Sequence, residues 1–228
     1  PYTLRLNRWA QEAGAQLAYH ACFEDFLYTD GKVSGVVYEQ DGQRKEACAK
    51  LVADCSGIAS VARRKLPDGY GVENFEITPL DMFYVTLRYV QYADRADDVH
   101  SLRSWSYYKT WEAPEADPHG AILGVGANLS FDMGEKVFAD FEKAVPLPKY
   151  TLKYIERGTT PYRRPPYSFV ADGFLVSGDA ACLTKPSAGE GVTSSLVHLE
   201  IAAEVMSGLL RAGAPLDREH LWPINKRY

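Results

Sequence analysis

The stretch Phe174-Leu-Val-Ser-Gly-Asp-Ala-Ala-Cys-Leu-Thr-Lys-Pro-Ser-Ala-Gly-Glu-Gly-Val192 decides how this chain is read. Phe174 to Ser177 is a short apolar run, the pattern of a buried strand. Gly178-Asp179 stops it, and Pro186, Gly189 and Gly191 then crowd a turn. From Gly191 the spacing predicts a helix. Val192, Leu196, Leu199, Ala203, Met206 and Leu210 recur at steps of three and four, so they share one face. Gly213 and Pro215 end it, as glycine and proline commonly end helices. A strand thus delivers an acid, and a glycine-rich turn presents N–H groups at a helix start. A carboxylate at position 179 accepts bonds from sugar or polyol hydroxyls. Unpaired amides at residues 189 to 192, helped by the helix dipole, favour developing negative charge. On spacing alone the segment reads equally well as an ordinary strand–turn–helix with a surface aspartate.

The bulk numbers set the class. The 228 residues suffice for one large domain or two small ones. A composition of 46% hydrophobic and 24% charged residues is that of a globular protein. The formal charge of -5 carries no nucleic-acid footprint. No apolar run approaches the length that spans a bilayer, and no signal peptide opens the chain. Cys22, Cys48, Cys55 and Cys182 show no C-x-x-C pairing and read as reduced thiols of a cytoplasmic protein. The five histidines show no metal-ligand spacing, so no metal is expected.

Taken in order, residues 2 to 13 read as a helix closed by Gly14. Residues 15 to 28 read as one or two strands. Asp30-Gly31 and Asp41-Gly42 mark two hairpins, and Leu51-Val-Ala53 is a short buried strand. It ends in Asp54-Cys-Ser-Gly57, after which a helix is expected near Ala59. Residues 65 to 76 read as a loop. Residues 82 to 92 and 121 to 129 read as strands, the second with glycines where something packs close. Gly124-Val-Gly126 is not a dinucleotide fingerprint, because no third glycine opens a helix after it. A short amphipathic helix is expected at 132 to 145, another near 148 to 157, a strand near 167 to 170, and a polar tail from 216.

The decisive stretch also forms a recognisable string. Gly178-Asp179-Ala180-Ala181, Pro186, Gly189-Glu190-Gly191 and a helix with Ala202-Ala203 resemble the second flavin-contacting motif of the FAD-dependent oxidoreductases of the para-hydroxybenzoate hydroxylase fold. Gly-Glu-Gly in that place is most similar to the geranylgeranyl reductase branch and its FixC-like relatives. The resemblance implies that Asp179 holds the ribityl chain of FAD and that Gly189 and Gly191 lie against the isoalloxazine ring. Gly178, Pro186, Glu190 and Val192 complete the implied cofactor-binding set. Asp54-x-x-Gly57-x-x-Ser60-x-x-Arg63 resembles the other signature of the same fold, which places Asp54 and Gly57 near the pyrophosphate and ribityl region. Arg63 itself reads more simply as an exposed base in a helical first turn.

Tyr108, Trp111 and Pro114 loosely resemble a Tyr-x-Trp-x-x-Pro-like element that lines the lipid pocket of geranylgeranyl reductases, so they are the expected substrate wall. The spacing is one residue off, and Lys109 and Glu112 intrude. Packing of a sheet face accounts for the same rings. No catalytic acid is identifiable; Tyr108 and Lys185 read as structural.

The resemblance implies an α/β (α+β) fold. Residues 1–66 and 159–228 would form a partial FAD-binding domain with a mixed sheet, and residues 67–158 a β-rich substrate-binding domain with an antiparallel sheet. The G-x-G-x-x-G that opens such proteins is not found in these residues. The chain is therefore read as an internal portion or a truncated copy of a longer protein, expected to bind FAD weakly or not at all by itself. Three functions stay open: reduction of isoprenoid C=C bonds; a flavin monooxygenase, halogenase or FixC-like electron-transfer dehydrogenase; and a non-catalytic remnant. The first two imply a small-molecule or lipid substrate and electrons from NAD(P)H or a protein donor. A lipid substrate adds peripheral membrane contact.

Overall fold

A computed structural model describes residues 2–93, 103–105, 109–185 and 189–228. Helix α1 (Tyr2–Glu12) leads into a three-stranded antiparallel meander of β1 (Ala21–Thr29), β2 (Lys32–Gln40) and β3 (Gln43–Cys48). Both hairpins turn as Asp-Gly predicts, with positive φ at Asp30 and Gly31 and at Asp41 and Gly42. Strand β4 (Val52–Asp54) follows. It belongs to a second sheet, together with β10 (Val170–Ala171) and β11 (Phe174–Val176) in the order β10-β11-β4. β11 runs parallel to β4 and antiparallel to β10, so this sheet is mixed, as expected.

Between β4 and β10 lies a five-stranded antiparallel sheet. Its strands are β5 (Met82–Tyr92), β6 (Arg103–Trp105), β7 (Lys109–Pro114), β8 (Gly120–Asn128) and β9 (Tyr150–Pro161), in the order β6-β7-β8-β5-β9. Helix α2 (Phe131–Ala144) covers one face; its Phe138 and Phe141 pack on Val90, Tyr92, Ala121, Leu123 and Val125. A separate core joins Phe26 and Val33 of the meander to β11, α3 (Gly191–Ala212), α4 (Arg218–Leu221) and α5 (Pro223–Arg227).

Three expectations are corrected. Residues 150–161 are strand β9, not a helix: the stretch is rich in Tyr, Ile and Thr and pairs along the whole of β5. Near Ala59 only two single 3₁₀ turns form, at 57–59 and 63–65, because Ser60 between them adopts a left-handed conformation. The tail is not merely polar. Leu221 and Ile224 are fully buried, on short helices started by the Asp217 side chain and by Pro223.

Helix α3 differs most from its sequence pattern. Its core side is Ser194, His198 and Ala202. The stripe Val192, Leu196, Leu199, Ala203 and Leu210 is exposed, with Val192 at 61% and Leu196 at 45%. The 4-3-4-3-4 spacing through Met206 is that of a seam for another helix, and it lies about 120° round the helix from the core side at 100° per residue. His198 is fully buried against Phe169 and Tyr228, its Nδ1 2.9 Å from Ser177 Oγ.

Two outcomes follow from α3. Replacing Leu196 and Leu199 together by Glu should reduce self-association of this 228-residue chain, measured by light scattering, at little cost in unfolding free energy. Burial lowers the His198 pKa to about 4. A base whose folded pKa is depressed is stabilising above its unfolded value, and that stability is lost as pH falls. Unfolding free energy should therefore drop by up to about 3 kcal/mol between pH ~6.5 and ~4. His198→Phe should flatten that slope in urea titrations at several pH values.

Candidate functional site

The site is assembled where β4 and β11 run side by side. Ala53 and Asp54 lie in register with Leu175 and Val176, so both acid-bearing turns leave the sheet at the same end. The turns then touch. Ser60 Oγ and Arg63 Nε donate to the carbonyl of Ala180 at 3.1 and 3.2 Å, joining segments about 120 residues apart in sequence.

The two acids play different parts. Asp54 is buried, and its carboxylate accepts from Arg63 N (2.7 Å), Ser56 N (2.9 Å) and Ser60 Oγ (3.4 Å). It shapes the turn through Gly57 rather than facing a cleft. Asp179 is half-buried, and its Oδ1 accepts from the Thr184 hydroxyl at 2.6 Å; among the described residues Oδ2 has no partner. Gly191 closes in on this pair: a Cβ there would lie 2.4 Å from Thr184 Oγ1 and 3.6 Å from Asp179 Oδ1. Only a residue without a side chain lets the start of α3 come so near, and Gly178 turns the chain into this corner with φ 65°.

The amides need correction. Gly189 N donates to Lys185 O at 2.8 Å, and Gly191 N to Gly189 O at 3.1 Å, so neither is bare. The turn folds back on itself, held also by an isolated bridge between Lys185 and Glu190. Among the described residues the amides of Val192 and Thr193 stay open: a first helical turn leaves them without intrahelical partners, and the Glu190 side chain does not cap them. Gly189, Glu190 and Val192 are exposed. Pro186 lies outside the described residues, as does Tyr108.

Sequence reasoning missed Thr184 and misjudged Arg63. Arg63 is fully buried, its guanidinium 4.0 Å from the Phe75 ring centroid, with Arg163 at 3.6 Å from the same ring. No simple signal distinguishes a buried arginine in Asp-x-x-Gly-x-x-Ser-x-x-Arg from a solvated one. Cys182 is buried beside them, and burial pushes its thiol up to about 11, so it stays protonated at neutral pH. Among the described residues no group of three or more His, Cys, Asp or Glu could hold a metal.

The five-stranded sheet supplies a second surface. The face away from α2 carries Phe83, Val85, Leu87 and Tyr89 of β5, Ile122 of β8, and Lys109, Trp111 and Ala113 of β7. Trp111 lies across Gly124 and Phe83 across Gly126; a Cβ on either glycine would come within 2.0 Å of a ring atom. Pro114 does not share this face. It is three residues from Trp111, and side chains alternate along a strand. Glu112 is buried on the α2 side, where it accepts from Tyr92 OH at 2.9 Å.

No family model matches the chain. It is 28% identical over 212 residues to digeranylgeranylglycerophospholipid reductase 2 of Methanothermobacter thermautotrophicus, covering 90% of this chain and 52% of that one. It is 23% identical to digeranylgeranylglycerophospholipid reductase of Sulfolobus acidocaldarius, covering all of this chain and 52% of the relative. The chain thus spans about half the length of these curated relatives. Among solved structures, a geranylgeranyl bacteriochlorophyll reductase-like protein from Thermoplasma acidophilum superposes with a TM-score of 0.83 at 18% identity, covering 99% of this chain and 57% of that one. A myxobacterial chondrochloren halogenase described as FAD-dependent gives 0.78 at 17% identity, covering 100% and 55%.

The geometry separates folding from binding. Asp54→Ala strands the buried Arg63 amide and loosens the turn at Ser56 and Ser60, and should destabilise by about 2 kcal/mol in chemical denaturation. Asp179→Ala, whose acid is half open, should cost about 1 kcal/mol. Strand, acid, glycine turn and helix, joined to a mixed and an antiparallel sheet, give the chain the fold of the FAD-dependent oxidoreductases, and within that fold its sequence is similar to the geranylgeranyl reductases.

Proposed function

We propose that these residues form the ribityl-and-ring side of an FAD site and the substrate wall of an FAD-dependent reductase acting on an isoprenoid-type C=C bond. The observation that carries the cofactor part is the corner made by Asp179, Thr184 and Gly191 at the mouth of α3. An acid with an open oxygen suits polyol hydroxyls. A missing side chain at 191 leaves the approach to that acid clear, and the free amides of Val192 and Thr193 with the helix dipole suit an electron-rich ring edge. When bound, FAD would supply hydride transfer to the substrate, with electrons from NAD(P)H or a protein donor. Asp54, Gly57, Ser60 and Arg63 would act one layer behind, fixing the turn of residues 178–181.

The substrate class follows from the wall. From Phe83 to Tyr89 the β5 side chains on the face away from α2 are apolar or aromatic over six residue steps, about 20 Å of strand, with Lys109 of β7 and Glu156 of β9 flanking them. That length suits an extended lipid chain better than a small aromatic, and the two curated relatives are named as reductases of a lipid. This favours the reductase over the halogenase or monooxygenase reading. No helix among the described residues is long and apolar enough to cross a membrane; peripheral contact with a membrane surface is part of the lipid-substrate reading. We place the cofactor part in residues 1–66 and 159–228 and the substrate part in 67–158.

The test is the visible spectrum of the protein purified with its native flanking sequence, before and after NAD(P)H. A flavin band that bleaches on reduction is expected. Asp179→Ala should weaken FAD binding roughly tenfold or more, as for loss of a charged hydrogen-bond acceptor, with the unfolding midpoint little changed. An unchanged FAD affinity in that variant would overturn the assignment.

A further inference from the structure

Two elements build the corner around Asp179, and a buried contact joins them. Asp179 lies on the turn that follows β11, and Gly191 opens α3. Ser177, two residues before the acid, places its Oγ 2.9 Å from Nδ1 of His198, and both residues are fully buried. Among the described residues this is the only side-chain hydrogen bond between α3 and residues 174–185. The hydroxyls of Ser194 and Ser195 instead donate to carbonyls of their own segment, those of Glu190 and Gly191, at 2.8 and 2.7 Å. Gly191 and His198 are seven residues apart, nearly two helical turns, so they lie on the same side of α3. Whatever fixes the roll of the helix at His198 also fixes how Gly191 meets Asp179.

Packing alone does not explain the pair. His198 Nε2 is buried and has no partner among the described residues. The ring meets Phe169 and Tyr228 edge to face, at 4.6 and 5.0 Å between centroids. A buried polar atom without a partner is unfavourable, and Ala with Phe would fill the same space with no polar group to satisfy. Apolar contact is non-directional, however, and would let α3 roll over the turn. A hydrogen bond has a preferred length and angle, so one roll of α3 meets Ser177 best. The turn itself needs such a guide. Its Cys182 is left-handed at φ 54° without being glycine, a backbone that persists only where its surroundings over-determine it.

We propose that Ser177 and His198 are positioning residues of the cofactor site. Their hydrogen bond sets the roll of α3 against the turn of residues 178–181. It thereby sets the gap between the Asp179 carboxylate and the open amides of Val192 and Thr193, which a polyol chain and a ring edge must meet together. This rests on the FAD reading above. Neither side chain touches the cofactor in that reading; both act through Asp179 and the start of α3.

The test sets FAD affinity of the protein with its native flanking sequence beside its unfolding midpoint in urea. Ser177→Ala and His198→Phe should each weaken FAD by roughly fivefold to tenfold, the scale of one lost hydrogen bond. Ser177→Ala leaves the imidazole, and His198→Phe the hydroxyl, without its partner, so each should also lower the midpoint. The double variant leaves neither, so its midpoint should return to that of the parent while FAD stays equally weakened. His198→Asn, whose amide takes the place of Nδ1, should keep affinity within about twofold. Affinity that recovers with the midpoint in the double variant would make the pair a packing feature and overturn the proposal, as would parent-like affinity in every Ser177 and His198 variant. Asp179→Ala separates the two readings: parent-like FAD binding there means that the cofactor site has failed, whereas a loss confined to Asp179→Ala means that only the role of the pair has. A second readout needs no flavin. In the double variant of the 228-residue chain, amide exchange at Cys182 and Leu183, which donate to Asp179 O and Gly178 O, should rise about fivefold while Leu123 of β8 stays fixed. Unchanged exchange at both turn amides would overturn the proposal.

Discussion

The parallel pairing of β4 with β11 is the constraint on which the rest depends. Parallel strands cannot be joined by a tight turn, so everything between residues 54 and 174 is a single crossover, and a whole antiparallel sheet with its own core is housed inside it. The pairing is only three residues long on each strand. It holds because the side chains beyond the strand ends continue it. The Asp54 carboxylate gathers the amides of its own turn, and Ser60 and Arg63 reach across to the Ala180 carbonyl. A short ladder is thus extended by a buried polar network, the arrangement in which each member is most expensive to lose.

The same network explains why two acids at equivalent strand ends differ so much. Asp54 is spent on shape, whereas Asp179 spends one oxygen on Thr184 and stays half-exposed. In sequence the two look similar, since each follows a short apolar run and precedes a glycine-containing turn, although the glycine-rich turn after Asp179 gives that acid the stronger signature. What separates them is whether the following residues fold back onto the carboxylate. Ser56 and Arg63 do so for Asp54 through their backbone amides and Ser60 through its hydroxyl, whereas among the described residues only the Thr184 hydroxyl returns to Asp179.

Much of the architecture was legible in the residues. The Asp-Gly hairpins, the β-branched run of β5, the glycines of β8 and the helix ended by Gly213 all rest on local chemistry that tertiary contacts reinforce. What was not legible depends on partners distant in sequence. Strand β9 resembles a helix until β5 lies beside it. The stripe on α3 looks like a core face, yet Ser194, His198 and Ala202 face the core. The helix has two apolar sides, so its periodicity does not say which of them this part of the chain covers. In the site, the acid, the glycine at 191 and Trp111 follow from pattern and resemblance. The self-engaged amides of Gly189 and Gly191 and the burial of Arg63 follow only from the folded geometry.

The long crossover also sets an order of assembly. The inserted sheet needs nothing beyond residue 161, so it can close while the ribosome is still adding the rest. Strand β4 has no such freedom, because its neighbour is about 120 residues further on. Until then the meander waits with Phe26 and Val33 uncovered, since Phe174 and the later helices that bury them have not emerged. Closing so large a loop is slow by topology, and the early-made portion is the one that chaperones would have to shield.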